Sequence, residues 1–137
     1  MYNIFYENLI LIPAVSFLLA VFIKTVLIKK YTGKWDFSKS FSSGGMPSSH
    51  SALIVSLATA VAIKNGIDSD LFAVSIVMTA VIISDAINIR FEAGLHAGAI
   101  NKSIGEKRFK ESLGHLPSEA FAGSMLGIIV AVIMYYL

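Results

Sequence analysis

At 137 residues, 55% hydrophobic and 15% charged, the chain fits one domain and carries far less charge than the roughly 25% of a soluble fold. Its net charge of +2 argues against a nucleic-acid partner, and the lack of cysteine removes disulfides, thiolate metal sites and cysteine nucleophiles.

The opening MYNIFYENL has no basic residue before its apolar run, so the first helix is expected to be retained rather than cleaved as a signal peptide. A bilayer span needs about 20 mostly apolar residues. Leu9 to Ile28 supplies one, interrupted only by Lys24. Ser48 to Ile63 supplies a second, short and polar at its start. Leu71 to Ile89 supplies a third with Asp85 inside it, and Glu119 to Leu137 a fourth, closed by Tyr135 and Tyr136 at an expected interface position. A helix of a soluble bundle would show a polar face every turn, and LFAVSIVMTAVIISDA does not. Of the connections, Lys29 to Pro47 is polar and holds Gly44-Gly45, and Lys64 to Asp70 is a tight turn. Arg90 to Ser118 is longer, and its part AGLHAGAINKSIGEKRFKESLG predicts an amphipathic interfacial helix. The expectation is a single all-α domain over residues 1–137, a polytopic membrane bundle of four transmembrane helices plus an amphipathic connecting helix.

Charge placement orients the bundle. Lys29, Lys30, Lys34 and Lys39 lie in the first connection, and Arg90, Lys102, Lys107, Arg108 and Lys110 in the third. These connections share a side if all four helices span, and only Lys64 lies opposite. The positive-inside rule predicts a cell-membrane protein with that side in the cytoplasm and both termini outside.

The polar residues His50, Asp85, Arg90, His96, His115 and Glu119 converge on the basic side, and ionisable groups at membrane depth are costly and usually functional. The second and fourth helices both start there, each with a proline expected in its first turn, Pro47 and Pro117. Two helix N-termini offer unpaired N–H groups and positive dipole ends, an anion site. Gly44 and Gly45 permit close backbone approach, Ser48, Ser49 and Ser51 add hydroxyls, Arg90 can grip oxygens bidentately, and Lys24 or Lys34 can add charge. The inferred ligand is phosphate, with neither metal nor cofactor required. Two histidines suit phosphoryl transfer, one attacking phosphorus and one protonating the leaving oxygen. Glu119, four residues after His115, can accept from one ring nitrogen and leave the other as nucleophile. Blander roles compete: Asp85 as a partner for a nearby cation, Glu119 as a first-turn dipole partner, His96 in packing between Gly94 and Gly98, and Gly123 with Gly127 as a chance GxxxG.

The segments GGMPSSHSA, DAINIRFEAGLHA and LGHLPSEAFAG resemble the signatures of a divergent branch of the type-2 phosphatidic acid phosphatase superfamily, which includes bacterial acid phosphatases and vanadium haloperoxidases. The resemblance covers roughly residues 24–127. It implies metal-independent hydrolysis of a lipid phosphate or phosphomonoester through phosphohistidine. Pro47-Ser48-Ser49-His50 is similar to the family's Pro-Ser-Gly-His, which implies His50 as the acid for the leaving group and Ser48 and the Ser49 backbone on phosphate. The first family motif, lysine six residues before Arg-Pro, has only Lys24 and Lys34 as approximate stand-ins. The third, arginine and histidine followed by aspartate, is divided between Arg90–His96, with Ile100 in the aspartate position, and His115–Glu119. An insertion splitting that motif makes His115 the favoured nucleophile and His96 the alternative. The family's usual six spans are reduced to four, so a homodimer is a candidate to complete the walls. The expected function is a membrane phosphatase for a lipid phosphate. Its rivals are an anionic-lipid binding or translocating protein that kept the pocket without the chemistry, and a scaffold whose histidines only pack.

Overall fold

The computed structural model describes residues 4–41 and 44–137. The side chain of Lys39, one of the basic residues of the first connection, lies outside the described set. The described residues form seven helices: α1 (Ile4–Glu7), α2 (Leu11–Thr32), α3 (Phe37–Ser40), α4 (Ser49–Asn65), α5 (Asp70–Ile87), α6 (Ile89–Ile104) and α7 (Pro117–Tyr136). Their ends follow local chemistry. Gly33, at φ +73°, stops α2 with its N–H on the Lys29 carbonyl. Ser48 and Ser69 cap α4 and α5 by accepting from the amides of Ser51 and Phe72. Pro117 occupies the first turn of α7, where its missing N–H costs nothing.

The chain is a polytopic membrane helix bundle, but four spans is not its count. Among the described residues three helical stretches are long and apolar enough to cross a bilayer: Leu11–Thr32, Asp70–Ile104 and Pro117–Tyr136. The expected second span forms α4, 17 residues or about 26 Å, short of the roughly 30 Å hydrocarbon core. The reason is its place. α4 is packed by α2, α5 and α7, so it is built from small side chains such as Ala52, Ser56, Ala58 and Ala60 rather than lipid-facing ones. By contrast α5 leaves Leu71, Val74, Val77, Met78 and Val81 exposed, as a lipid-facing wall does.

The third connection also departs from expectation. Only Asn88, at φ −112° and ψ −81°, separates α5 from α6, so the third span runs directly into the connecting helix. That helix ends at Gly105, φ +71°, and the charged half of the segment, residues 105–116, is irregular.

Three contacts fix the packing directions. Ser16 Oγ donates to the Ala52 carbonyl at 3.0 Å and Lys24 Nζ to the Gly44 carbonyl at 2.9 Å, so α2 runs antiparallel to α4. The Ser48 amide donates to the Glu119 carbonyl at 3.1 Å, which sets the starts of α4 and α7 side by side. From there the two helices run parallel with backbones nearly touching. A Cβ on Gly127 would lie 2.6 Å from the Ala52 carbonyl oxygen, and one on Gly123 would collide with the Ser48 carbonyl. The GxxxG is therefore a true helix contact. The bulkier apolar cluster, Ile12, Ala60, Val130, Ala131 and Met134, sits at the opposite end of these helices. The end where α4 and α7 begin is lined by small and polar residues.

Candidate active site

At that end the chain turns its hydrogen bonds inward. The Ser48 hydroxyl accepts from the Ser51 amide at 3.2 Å and the Ser51 hydroxyl at 2.9 Å, fixing the first turn of α4. Because Ser48 takes the capping position, Pro47 precedes the helix instead of lying in its first turn. Ser48, Ser49 and Ser51 are all buried.

His115 lies just before α7. Its amide donates to the Ala86 carbonyl at 3.0 Å, tying it to the end of α5. Gly114, at φ +74°, lets the preceding backbone press on Arg90 and Phe91, where any Cβ would collide. The His115 ring is 2% exposed, with Nδ1 3.1 Å from Glu119 Oε2. The same oxygen accepts the Leu116 amide at 3.1 Å. Carboxylate oxygens only accept, so the ring donates from Nδ1 and carries its lone pair on Nε2. Nε2 is buried and, among the described residues, has no hydrogen-bond partner. Burial lowers the His115 pKa below the ordinary histidine value; the hydrogen bond to Glu119 opposes the shift and the Lys24 cation adds to it. The Gly45 backbone also favours the protonated ring.

His50, in the first turn of α4, faces His115 with ring centroids 6.5 Å apart. Phe17 of α2 packs edge-on against the His50 ring, with centroids 6.3 Å apart and an interplanar angle of 76°. Lys24, 2% exposed, enters from α2 beneath Gly44 and Gly45. Arg90 opens α6 and pairs through Nε with Asp85 at the end of α5, leaving its terminal nitrogens for another partner. Arg90, His115 and Lys24 all lie within electrostatic reach of His50.

The structure thus brings together His50, His115, Glu119, Lys24, Gly45, Ser48, Ser49 and Arg90 with its partner Asp85. It does not bring in two others. Lys34 is exposed beyond the end of α2, its amide on the Thr32 hydroxyl, and among the described residues no hydrogen bond or ion pair joins it to the cluster. His96 is exposed on α6, two turns past Arg90. Among the described residues no group of three or more His, Asp or Glu could hold a metal ion.

A cavity of about 410 Å³ adjoins Lys24, Gly44 and Gly45 and is otherwise mainly apolar, lined by Leu27, Ile28 and Met46. Leu27 and Met46 also border a larger groove between α2 and α7, lined by Phe121, Met125 and Ile129. Polar chemistry and apolar volume are therefore adjacent.

Sequence reasoning missed three supports. Phe17 gives no signal within an apolar run, and the Ala86 carbonyl is backbone. Asn101 could have been noticed as a polar residue on an otherwise small and apolar helix face beside Gly94 and Ala97. Its side chain accepts from the amides of Arg108 and Phe109 and donates to the Phe109 carbonyl and Glu111 Oε1.

Comparison with known proteins places the chain among its relatives. A family model described as the Divergent PAP2 family matches residues 5–130. An uncharacterized membrane protein, YuiD, of Bacillus subtilis (strain 168) is 38% identical, the match covering 75% of this chain and 78% of that protein. No solved structure matches.

Proposed function

The chain belongs to the divergent PAP2 family, and we propose that it is a membrane phosphatase that hydrolyses a lipid phosphate monoester through a phosphohistidine. The observation that carries this reading is the buried Nε2 of His115, without a hydrogen-bond partner among the described residues, with Nδ1 held by Glu119 and the His50 ring facing it at a centroid separation of 6.5 Å. A neutral imidazole so oriented has its lone pair on the nitrogen that faces away from its carboxylate.

Nε2 attacks phosphorus while the phosphorus–ester oxygen bond breaks, and protonated His50 gives its proton to the departing alkoxide, yielding the alcohol. Neutral His50 then takes a proton from water, which attacks the phosphohistidine; the P–N bond breaks, its electrons return to Nε2, and inorganic phosphate leaves. Glu119 stabilises the charge that His115 gains while bonded to phosphorus. Arg90, Lys24 and the N–H groups at the start of α4 stabilise the oxygens of the trigonal-bipyramidal state. The apolar volume beside Lys24 suits the proximal part of a lipid chain, whose remainder stays in the bilayer. Lys34 and His96 have no step. The excess of lysine and arginine on this side supports a site facing the cytoplasm.

The test is phosphate release from a panel of lipid phosphates by the purified protein in detergent, beside His115→Ala. Turnover that vanishes in the variant supports the phosphatase. Saturable lipid binding without turnover in the wild type overturns it in favour of a non-catalytic lipid-binding protein.

A further inference from the structure

The segment 105–112 lies outside the chemistry, yet its backbone is held in place. It contains Lys107, Arg108 and Lys110, follows Lys102 at the end of α6, and has Glu106 and Glu111 as its acidic residues. An exposed, charged loop of this kind usually has few fixed bonds. Here a 5%-exposed side chain, Asn101, makes four hydrogen bonds to it, at 2.7–3.0 Å. One of the acidic residues, Glu111, is engaged in that network, which leaves the basic residues dominant. Between Arg108 and Lys110 the Phe109 backbone is pinned at both N–H and C=O, while its side chain stays 48% exposed. Ile100 and Ile104, in the last two turns of α6, are exposed as well.

Geometry says where this loop lies. α5 alone, 18 residues or about 27 Å, nearly crosses the hydrocarbon, and α5 with α6 would reach about 52 Å if straight. The break at Asn88 therefore leaves α6 and the loop after it at or beyond the interface. Lysine and arginine beside an exposed aromatic at that depth match anionic headgroups above and acyl chains below.

From these residues we propose that the 105–112 loop is a preformed contact for anionic phospholipid headgroups, with Lys107, Arg108 and Lys110 on the phosphates and Phe109 inserted at the acyl boundary. The partner is the bilayer surface itself. Asn101 orders the loop in advance, so headgroups meet a fixed set of donors rather than a mobile tail.

The experiment uses the full chain with Trp35→Phe and Phe109→Trp, reconstituted in bilayers mixing neutral and anionic lipids, with bromine on the acyl chains of one class at a time. Fluorescence of the indole introduced in the loop should be quenched more by the brominated anionic lipid at equal mole fraction, and Lys107→Gln/Arg108→Gln/Lys110→Gln should bring the ratio of the two to about one. Equal quenching in the parent, or a preference that survives the triple substitution, overturns the proposal. Quenching by neither lipid also overturns it, since the loop then faces water or another protein. The three changed residues are exposed, and the readout needs no turnover, so the result stands whether or not the chain is a phosphatase.

Discussion

Glu119 Oε2 receives both the His115 ring, at 3.1 Å, and the Leu116 amide, at 3.1 Å. One oxygen thus orients the proposed nucleophile and satisfies the first free amide of α7. Replacing it separates two effects. Glu119→Gln keeps a hydrogen-bonding group at the helix start but loses the charge beside the imidazole. Its turnover should fall by roughly 10²–10⁴, with thermal stability in detergent changed little. His115→Ala should abolish both turnover and phosphohistidine trapping. His50→Ala should hurt least with an aryl phosphate, whose leaving group needs no proton. His96→Ala should stay active; a dead His96→Ala of normal stability beside an active His115→Ala would move the nucleophile to His96.

The lowered pKa of His115 has a pH consequence with a definite sign. A buried imidazole that resists protonation keeps its lone pair below the ordinary histidine value of 6.5. The limb of the rate profile that reports its protonation should therefore lie on the acid side of that value. Stability follows the same direction. The unfolded chain takes up a proton at His115 before the folded chain does, so its contribution is fully present above the ordinary pKa and is lost as pH falls through the lowered folded value. His115→Asn should flatten the melting temperature against pH in that acid window. A slope unchanged by the substitution would contradict the assignment.

Backbone proximity at the parallel pair predicts a steric series. Gly127→Ala pushes a methyl group against the Ala52 carbonyl, and overpacking of this kind typically costs about 1–3 kcal/mol. Gly123→Ala pushes on Ser48, so it should lower activity as well as melting temperature. Gly98→Ala makes only ordinary contacts, the nearest 3.8 Å away on Glu111, and should be near neutral. Thermal unfolding in detergent ranks the three.

The orientation is open to direct labelling, because the chain has no cysteine of its own. With the basic side inside, a cysteine at Ser103 should be shielded from an impermeant thiol reagent in intact cells, and one at Asp68 should react. The opposite pattern would reverse the topology and leave the fold untouched.

Much of this arrangement can be read from residue order, and the reason is physical. Apolar runs mark α2, α5 and α7 because lipid imposes hydropathy on whatever it touches. The sequence places α4 correctly and reads it as short, yet counts it as a fourth span, since a helix enclosed by others escapes that rule and small side chains do not declare their surroundings. The candidate site is legible where the sequence carries rare residue combinations, as in Pro47-Ser48-Ser49-His50 and His115 with Glu119. It is illegible where distance along the chain hides proximity. Lys24 and Lys34 are equal candidates by charge, and only the antiparallel packing of α2 on α4 separates them. The four bonds of Asn101 join residues 7 to 10 positions apart through an irregular loop, for which periodicity offers no guide.

The uneven filling of the bundle bears on how a phosphate would reach the enclosed Nε2 of His115. Far from the site, Ile12, Ala60, Val130 and Met134 interlock, and separating them would mean loss of dispersion contacts along three helices. Near the site the side chains are smaller and the joints include hydrogen bonds from Lys24, Ser48 and His115, which a headgroup or water can replace bond for bond. Local opening is therefore cheapest at the end where chemistry is proposed. Amide exchange should register this as a gradient along α4 and α7, fastest at their first turns and slowest around Ala60 and Val130. The bundle can breathe at its mouth while its base stays closed.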